Sequence, residues 1–311
     1  MQLIRRPVAG RPALPTACVA TIGTFDGVHV GHQKILARVR ELAARHDLPS
    51  LVFSFEPTPA EFFSRRPPAR LMRFREKFCA LDELALDYFF CPPFDARMEA
   101  LEPEQFVDKL LCDTLRVRYL VVGDDFRFGR GRAGTFDDLR SGGERCGFSV
   151  EQIDSVCVGG LRVSSTAIRK ALEAGELGCA RNLLGRYYRM SGRVVHGRKL
   201  GAELGFPTAN VELNRRVTPI AGIFAVRVAG LGNSPLDGVA SLGSRPTVDG
   251  DGRLLLEVHI FDFDRLIYGQ HIAVDFIARL RDEEHFTSLE ALVEQMHKDA
   301  ARAREILATA A

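Results

Sequence analysis

The stretch Gly23-Thr-Phe-Asp-Gly-Val-His-Val-Gly-His-Gln33 joins a short apolar run to a segment with helical periodicity. Residues 17–22 upstream are apolar and β-branched, as in a buried strand, and apolar residues between 35 and 42 recur at helical spacing. Parallel α/β sheets are built from strand-to-helix turns of this kind. The stretch therefore predicts the fold class of the amino-terminal half.

Two imidazoles lie three residues apart in this stretch, and His29 and His32 would share one face of the first helical turn. Backbone N–H groups and the positive end of the helix dipole favour an anionic phosphate there, and Gly27 and Gly31 permit close approach. This geometry suits a nucleotide triphosphate. A structural role, with the rings solvated or bonded to a carbonyl, stays open, whereas a zinc site is disfavoured because no third ligand has the expected spacing.

Length and composition indicate a two-domain protein that acts on small molecules. The chain has 311 residues, 46% of them hydrophobic and 26% charged. A net charge of +2 argues against nucleic-acid partners. We also expect a monomer or weak self-association. Seven cysteines without a CxxC pair are expected to be core thiols in a reducing environment. No signal peptide or membrane-spanning run is present, which predicts a cytoplasmic protein without a membrane partner.

Periodicity divides the chain near residue 185. Before it, short apolar runs alternate with helical patterns, which predicts a parallel α/β sheet with strands at 17–22, 50–55, 86–91, 118–123 and 148–153 and helices at 33–44, 73–84, 103–115 and 166–174. After it, short alternating runs separated by turns predict an antiparallel barrel or sandwich. A final helix over 288–307, expected to close the barrel, carries an apolar stripe of Leu289, Leu292, Val293, Met296 and Ala300.

A glycine-rich loop over residues 123–134 follows a predicted strand, where α/β sheets bind ligands. Residues 129–134 fit the pattern GxGxxG, but they do not follow the strand directly and no strong amphipathic helix is expected to open at Gly134, so NAD is disfavoured. Phe126 and Phe128 in this loop are either core residues or stacking platforms. Residues 55–63, with two prolines and three phenylalanines, are either a wall for a planar ring or a tight connection.

A serine pair before another predicted helix is a further anion candidate. Ser164 or Ser165 would cap the helix, and Arg169 would lie one turn inside, able to reach an anion at the helix start. An ordinary cap with a surface arginine is the alternative. The sequence contains no GxxxxGK[ST] motif, so any ATP is held by a different device.

Three polar residues of the second half are candidates for phosphate chemistry. If residues 205–210 are extended, Thr208 and Asn210 face the same way and can together hold a metal ion and phosphate oxygens, with a basic loop at 196–199 just before them. Glu257 is a carboxylate within an apolar strand. It is either a general base for a substrate hydroxyl or the partner of Arg227 or His259 in an ion pair.

Together these residues resemble one family, the bacterial bifunctional riboflavin kinase/FMN adenylyltransferase, also called FAD synthetase. Asn is common in the family where Thr24 and Ser241 stand. The resemblance is specific because seven segments recur in one order over both halves of the chain: 23–32, 123–129, 164–169, 205–210, 242–247, 257–259 and 280–283.

The resemblance implies an α/β Rossmann-like nucleotidyltransferase domain over residues 1–185, then a six-stranded antiparallel β-barrel of riboflavin-kinase type with a carboxyl-terminal helix over 186–311. In the first domain it implies catalytic residues His29, His32 and Arg169, ATP contacts Gly23, Phe25, Asp26, Gly31, Ser164, Ser165 and Thr166, and flavin contacts Pro57, Pro59, Phe63, Asp125 and Phe128. In the second it implies Glu257 as catalytic base, ATP and metal contacts Gly197, Arg198, Lys199, Pro207, Thr208 and Asn210, and Mg²⁺ on Thr208 and Asn210.

The implied reactions use ATP and Mg²⁺ to convert riboflavin to FMN and then FMN to FAD, with release of pyrophosphate. A nucleotidyltransferase for another phosphate ester is one rival, but it would have no use for the barrel. A flavin-binding regulator on a retired enzyme scaffold is another. Loss of the histidines, the arginine or the glutamate would indicate a regulator, and all of them are present.

Overall fold

A computed structural model describes residues 1–6, 11–197, 201, 204–215, 217–245 and 253–310. The chain divides into two compact units, Met1–Pro68 with Phe74–Ser164, and Ala69–Arg73 with Ser165–Ala311. Arginines of the second unit hold the segment Ala69–Arg73: Arg169 Nε donates to the Ala69 carbonyl at 2.6 Å. The functional boundary after residue 185 stays a prediction.

A six-stranded parallel sheet forms the first unit, in the order β1-β4-β3-β2-β5-β6. The strands are β1 (Gln2–Ile4), β2 (Cys18–Ile22), β3 (Ser50–Phe53), β4 (Tyr88–Phe90), β5 (Val117–Gly123) and β6 (Ser149–Ile153), followed by a hairpin of β7 (Cys157–Val158) and β8 (Leu161–Arg162). The helices are α1 (Val30–His46), α2 (Pro59–Phe63), α3 (Phe74–Asp82), α4 (Ala96–Glu99), α5 (Pro103–Phe106), which continues as a π-helical segment over Val107–Thr114, and α6 (Phe136–Cys146).

The sheet has its switch point between β2 and β5. All five residues of β2 are buried, as expected for a central parallel strand covered on both faces, and α1 packs through Leu36, Val39 and Leu42. The connections from β2 and from β5 run to opposite sides of the strand order, so the carboxyl ends of these two neighbouring strands flank a crevice. Ligands of open α/β sheets bind at such a point.

The expectation that no strong amphipathic helix opens at Gly134 is wrong. Helix α6 begins two residues later, and Thr135 and Asp138 form a capping box at its start. Glycines form part of its buried face beside Leu139. A Cβ at Gly142 would lie 2.7 Å from Val107 of the π-helical segment, and one at Gly143 would lie 2.4 Å from the Phe148 carbonyl just before β6. Close backbone packing thus supplies a part of this contact that hydrophobic periodicity does not detect.

The second unit contains α7 (Ser165–Glu173), α8 (Leu177–Leu184) and a closed antiparallel barrel in the order β10-β13-β12-β11-β14-β9. Its strands are β9 (Tyr188–Val195), β10 (Ala209–Glu212), β11 (Gly222–Ala229), β12 (Leu236–Arg245), β13 (Arg253–Ile260) and β14 (His271–Arg281). The last helix is α9 (Leu289–Thr309).

The expectation that the last helix closes the barrel is wrong, because β10 pairs with β9 and the strands close it alone. Helix α9 packs on the outer surface, where Ala303 and Leu307 join a core cluster with barrel residues. Leu289 of the expected stripe is 58% exposed. Leu292, Val293, Met296 and Ala300 of the stripe are half-buried, and a buried ion pair, which hydrophobic periodicity does not register, adds to the contact of α9 with the barrel.

That ion pair joins Asp299 of α9 to Arg281 of β14, with both side chains largely buried and N···O distances of 2.8 to 3.1 Å. We expect Asp299→Ala to destabilise the second unit by about 3 kcal/mol, because it leaves the guanidinium buried without its counter-charge. Urea unfolding followed by circular dichroism measures the loss. Glu294→Ala, which removes an exposed pair with Lys298 on the same helix, is the control and should leave the unfolding midpoint almost unchanged. Equal losses would contradict this account.

Candidate active sites

The first candidate site lies where β2 runs into α1. His29 is the N-cap of α1, and its Nδ1 accepts a hydrogen bond from the His32 N–H at 3.2 Å. Because Nδ1 is the acceptor, a neutral His29 ring carries its proton on Nε2, which is then a hydrogen-bond donor. The two rings stack with centroids 3.5 Å apart. The predicted shared face of His29 and His32 is therefore present in the fold.

The glycines and Phe25 shape this turn closely. A Cβ at Gly31 would lie 3.3 Å from the His29 ring, and one at Gly23 would lie 3.1 Å from the ring of Phe25. Phe25 is buried, contacts His32 at 5.0 Å between centroids and has a φ of 49°. A bulky residue held in the left-handed region indicates a turn that the surrounding structure fixes. Asp26, another predicted contact, is also buried.

A buried lysine that the sequence analysis did not identify supports the same turn. Lys77 of α3 is 1% exposed, and its Nζ donates to the Thr24 carbonyl at 2.7 Å. The Ser54 hydroxyl, at the end of β3, donates to the same carbonyl at 3.2 Å. Since Lys77 is distant in sequence and lies in an ordinary amphipathic helix, no local signal marks it.

The loop after β5 presents two carboxylates at the other side of the crevice. Arg162 bridges them, with its Nη2 atom 3.2 Å from the Asp124 carboxylate and 3.0 Å from the Asp125 carboxylate. Asp124 also accepts from the hydroxyl of Ser155 at 2.7 Å and from its backbone N–H at 3.0 Å. Asp125, the predicted flavin contact, is 76% exposed along its side chain and so accessible to a ligand.

The hydrogen bond from Ser155 and the charge of Arg162 hold the pKa of Asp124 below its ordinary value of 3.8. A lowered pKa means that this stabilisation is present above pH 3.8 and is lost as the pH falls through the lower, folded-state pKa. We expect Asp124→Asn to be less stable than the parent by under about 1 kcal/mol near neutral pH, and the difference to vanish in acid. Urea unfolding at stepped pH values tests this. A difference that does not change with pH would contradict it.

The predicted aromatic wall is present in part. After β3, Thr58 and Glu61 form a capping box for α2, which carries Phe62 and Phe63 at 41% and 65% exposure. Both rings pack edge to face on Phe94, with centroids 5.3 and 5.8 Å away. Pro57 and Pro59 frame this segment. The result is an exposed aromatic surface at the carboxyl edge of the sheet.

Phe128, also predicted as a flavin contact, belongs to the core. It is 5% exposed and packs against Phe106, and Phe126 stacks on it at 5.8 Å. A Cβ at Gly134 would lie 2.7 Å from its ring, so that glycine is required for packing. The two interpretations of these rings were core packing and a stacking platform. Phe128 is a core residue, and its contact with flavin stays a prediction.

The predicted phosphate segment begins α7. Helix α7 starts at Ser165, so Ser164 stands at the N-cap position. Thr166 is exposed in the first turn, and Arg169, one turn inside as expected, bonds Ala69 through Nε. Their contact with phosphate stays a prediction.

The second candidate site lies on the outer face of the barrel. Asn210 of β10 pairs with Glu257 of β13, and Glu257 pairs with Ser241 of β12. Residues directly opposite across neighbouring strands project to the same face, so these three polar side chains form one row. Leu256 and Val258, which flank Glu257, are buried and point to the other side.

A cavity of about 650 Å³ opens over this row. Its polar wall contains Thr208, Ser241, Glu257 and His259, and its cover is the segment 283–288 with Leu292 and Met296 of α9. Such a volume, with apolar walls and a few converging polar groups, is typical of a small-molecule site. The covering residues were missed because a cavity wall between a strand and a helix has no periodic signature, although the polar and aromatic stretch 283–288 marks a loop.

The donor set near Glu257 fits a magnesium ion. A hydroxyl, an amide and a carboxylate offer the hard oxygen ligands that Mg²⁺ prefers. Glycines bring loop backbone against them: a Cβ at Gly197 would lie 2.2 Å from the Asn210 amide, and one at Gly201 would lie 3.4 Å from the Thr208 hydroxyl. The carbonyl of Pro207 is bonded by His259 at 2.9 Å, which fixes the start of this segment. Arg198 and Lys199 lie outside the described residues.

The two residues considered as ion-pair partners of Glu257 have other contacts. Arg227 bonds Asp237 and the carbonyls of Leu307 and Ala310. His259 bonds the Pro207 carbonyl. Glu257 lines the cavity, and its role as general base stays a prediction.

Comparison with known proteins assigns the two halves to two families. Residues 11–167 match the FAD synthetase family and residues 184–307 the riboflavin kinase family. The bifunctional riboflavin kinase/FMN adenylyltransferase of Escherichia coli K12 is 47% identical over 306 residues, covering 98% of this chain and 97% of the relative. The chain belongs to this family. The resemblance carried by the seven segments is confirmed, as is the fold class of an α/β domain followed by a six-stranded barrel.

Other relatives agree along the whole length. The protein of the same name from Pseudomonas fluorescens is 48% identical over 312 residues, covering 100% of this chain and 99% of the relative. A crystal structure described as a macrolide-efflux protein from Streptococcus pneumoniae has a TM-score of 0.85 at 28% identity, with 97% and 98% of the two chains covered. Among the helices that the structure describes, none combines the length and the apolar character that a membrane crossing needs.

Proposed function

We propose that this family member catalyses two consecutive ATP-dependent reactions at two separate sites. In the barrel unit, riboflavin and ATP give FMN and ADP. At the crevice of the parallel sheet, FMN and ATP give FAD and pyrophosphate. The observation that carries the proposal is the position of Glu257, which lines a ligand-sized cavity in one compact unit while the stacked histidines cap a helix in the other.

In the kinase reaction, Glu257 accepts the proton of the riboflavin 5′-hydroxyl. The hydroxyl oxygen bonds to the γ-phosphorus of ATP while the bond from that phosphorus to the β-phosphate oxygen breaks, and ADP leaves. Thr208 and Asn210 would hold Mg²⁺, which when bound neutralises phosphate charge. Ser241, beside Glu257 in the polar row, is placed to orient the carboxylate or the substrate. Gly197 and Pro207, with Arg198 and Lys199 of the preceding loop, complete the proposed ATP contacts.

In the adenylyl transfer, a phosphate oxygen of FMN attacks the α-phosphorus of ATP and the bond to pyrophosphate breaks. No general base is needed, because the attacking phosphate is already an anion. The Nε2–H of His29, the His32 ring and the amino end of α1 supply hydrogen bonds and positive potential to the charge that develops on the α-phosphoryl group. Ser164, Ser165, Thr166 and Arg169 are the further phosphate contacts of the proposal.

The flavin of the adenylyl site is proposed to lie on the exposed aromatic surface at Pro57, Pro59 and Phe63 and beside Asp125, over the core that contains Phe128. The enzyme is proposed to work in the cytoplasm as a monomer or weak oligomer, on small molecules and not on nucleic acid.

Incubation of the purified protein with riboflavin, ATP and Mg²⁺, followed by chromatography, tests the proposal. We expect FMN to appear first and FAD to follow. Omission of Mg²⁺ with added EDTA should stop FMN formation. Unchanged riboflavin in the complete mixture would contradict the proposal, and FMN without FAD would contradict its adenylyl half.

A further inference from the structure

The cysteines of the chain are distributed between core and surface. Cys18 and Cys91 are buried, but Cys79, Cys146 and Cys157 are exposed, so the expectation of core thiols is wrong for these three. Cys146 ends α6 and Cys157 lies in the β7–β8 hairpin, where sequence periodicity carries little information about burial, whereas Cys79 lies on an exposed face of α3. Surface thiols are available to ligands, which a core thiol is not.

One thiol pair lies beside a carboxylate on the first unit. Asp108 and Cys112 lie on the π-helical segment after α5, and Cys146 is the last residue of α6. One oxygen or sulfur atom from each of the three side chains lies within 4.8 Å of both others. In the part of the chain that the structure describes, no other His, Cys, Asp or Glu side chains form such a group of three. None of the three belongs to either proposed active site.

We propose that Asp108, Cys112 and Cys146 form a binding site for a thiophilic divalent cation of the zinc class, with the remaining coordination position taken by solvent. Two thiolates and a carboxylate are a ligand set that zinc accepts in a tetrahedral arrangement. The Sγ of Cys146 lies 3.8 Å from Oδ1 of Asp108. Tetrahedral zinc with ordinary bond lengths to sulfur and oxygen places these atoms about 3.5 Å apart, so little movement is required.

The local charges agree with a cation site. The carboxylate of Asp108 lies beside both thiols, so the group offers a negative charge together with two sulfur donors. Helix geometry adds to this, since Asp108 and Cys112 are four residues apart and a π-helical turn is often found at functional sites.

Arg145 is the group that a cation must displace. The Nη2 atom of Arg145 lies 2.6 Å from Oδ1 of Asp108 and 3.9 Å from the carboxylate of Glu104. The guanidinium is 47% exposed, so it can leave Asp108 and pair with the Glu104 carboxylate without burying an unpaired charge. Asp108 is then available as the oxygen ligand.

Titration of the reduced, chelator-free full-length protein with Co²⁺, a spectroscopic substitute for zinc, tests the proposal. We expect one equivalent to bind with a near-ultraviolet thiolate-to-cobalt band and the visible bands of a tetrahedral ion. Cys112→Ser and Cys146→Ser should each lose most of the thiolate band, and Asp108→Asn should bind at least tenfold more weakly. Cys157→Ser, which removes another exposed thiol of the same unit, is the control and should keep it. No band in the parent, or an undiminished band in both serine variants, would overturn the proposal.

A second measurement needs no variant. Zn²⁺ should slow the alkylation of Cys146 by iodoacetamide at least tenfold and leave the alkylation of Cys157 unchanged, as read by peptide mass spectrometry. Retention of FMN-to-FAD conversion in the serine variants shows that they fold. Equal labelling of Cys146 with and without Zn²⁺ would overturn the site.

Discussion

Glu257→Gln is expected to lower the rate of FMN formation from riboflavin by a factor of about 10² to 10⁴, because the amide keeps the shape of the side chain but cannot accept the proton of the substrate hydroxyl. Glu257 lines the barrel cavity and lies in register with Asn210 and Ser241. The loss should appear in kcat, with KM for riboflavin little changed, since binding contacts are retained. Conversion of supplied FMN to FAD should continue at the parent rate. Steady-state assays of both reactions measure the change.

Glu212→Gln is the matched control for this substitution. Glu212 is the exposed last residue of β10. Its substitution by Gln removes one negative charge from the same barrel, as Glu257→Gln does. It should leave both reactions within about twofold of the parent. If Glu257→Gln kept its kinase activity, or if it lost FMN-to-FAD conversion while folded, the assignment of Glu257 as the base of a separate kinase site would be wrong.

His29→Asn is expected to lower FAD formation from FMN by a factor of about 10² or more, while riboflavin phosphorylation continues. Asparagine is a good N-cap and can still accept the backbone N–H of His32, so α1 should keep its start. The substitution removes the stacked ring and the Nε2 donor that is proposed to stabilise developing phosphoryl charge. His29→Ala removes the cap as well and should in addition destabilise the first unit by about 1 kcal/mol.

Comparison of these two variants separates catalysis from folding. Assays of FMN with ATP give the rate, and thermal unfolding gives the stability. His46→Ala, at the other end of α1, is the control because it removes an exposed imidazole from the same helix, and it should retain FAD formation. Full activity in His29→Asn would show that the histidine is only a cap.

The sequence predicted those parts of the fold that depend on local pattern. The turn from β2 into α1 could be recognised because a buried strand, two glycines and a periodic helix are contiguous. The register that sets Asn210 opposite Glu257 was not predicted, because alternation fixes the face of a strand residue and not its partner on the next strand. Helix α6 was missed because glycines make its closest contacts, and a glycine carries no hydrophobic signal.

Long-range packing accounts for what the sequence did not predict in the sites. Lys77 reaches the Thr24 carbonyl from a helix that begins fifty residues later in the chain, so neither residue marks the other. Phe94, which holds Phe62 and Phe63 in the aromatic surface, follows a different strand. Phe128 stands in a loop that suggested a stacking platform, yet its ring completes the core. Which ring faces a ligand is decided by tertiary packing and not by the local pattern.

If two independent sites carry the two reactions in sequence, two variants with complementary defects should restore the sequence when they are mixed. Riboflavin, ATP and Mg²⁺ should be supplied to Glu257→Gln alone, to His29→Asn alone and to an equimolar mixture of the two proteins. We expect unchanged riboflavin with the first, accumulation of FMN with the second, and FAD only in the mixture, because FMN made by one protein is the substrate of the other. FAD from either variant alone, or a mixture that stops at FMN, would contradict this expectation.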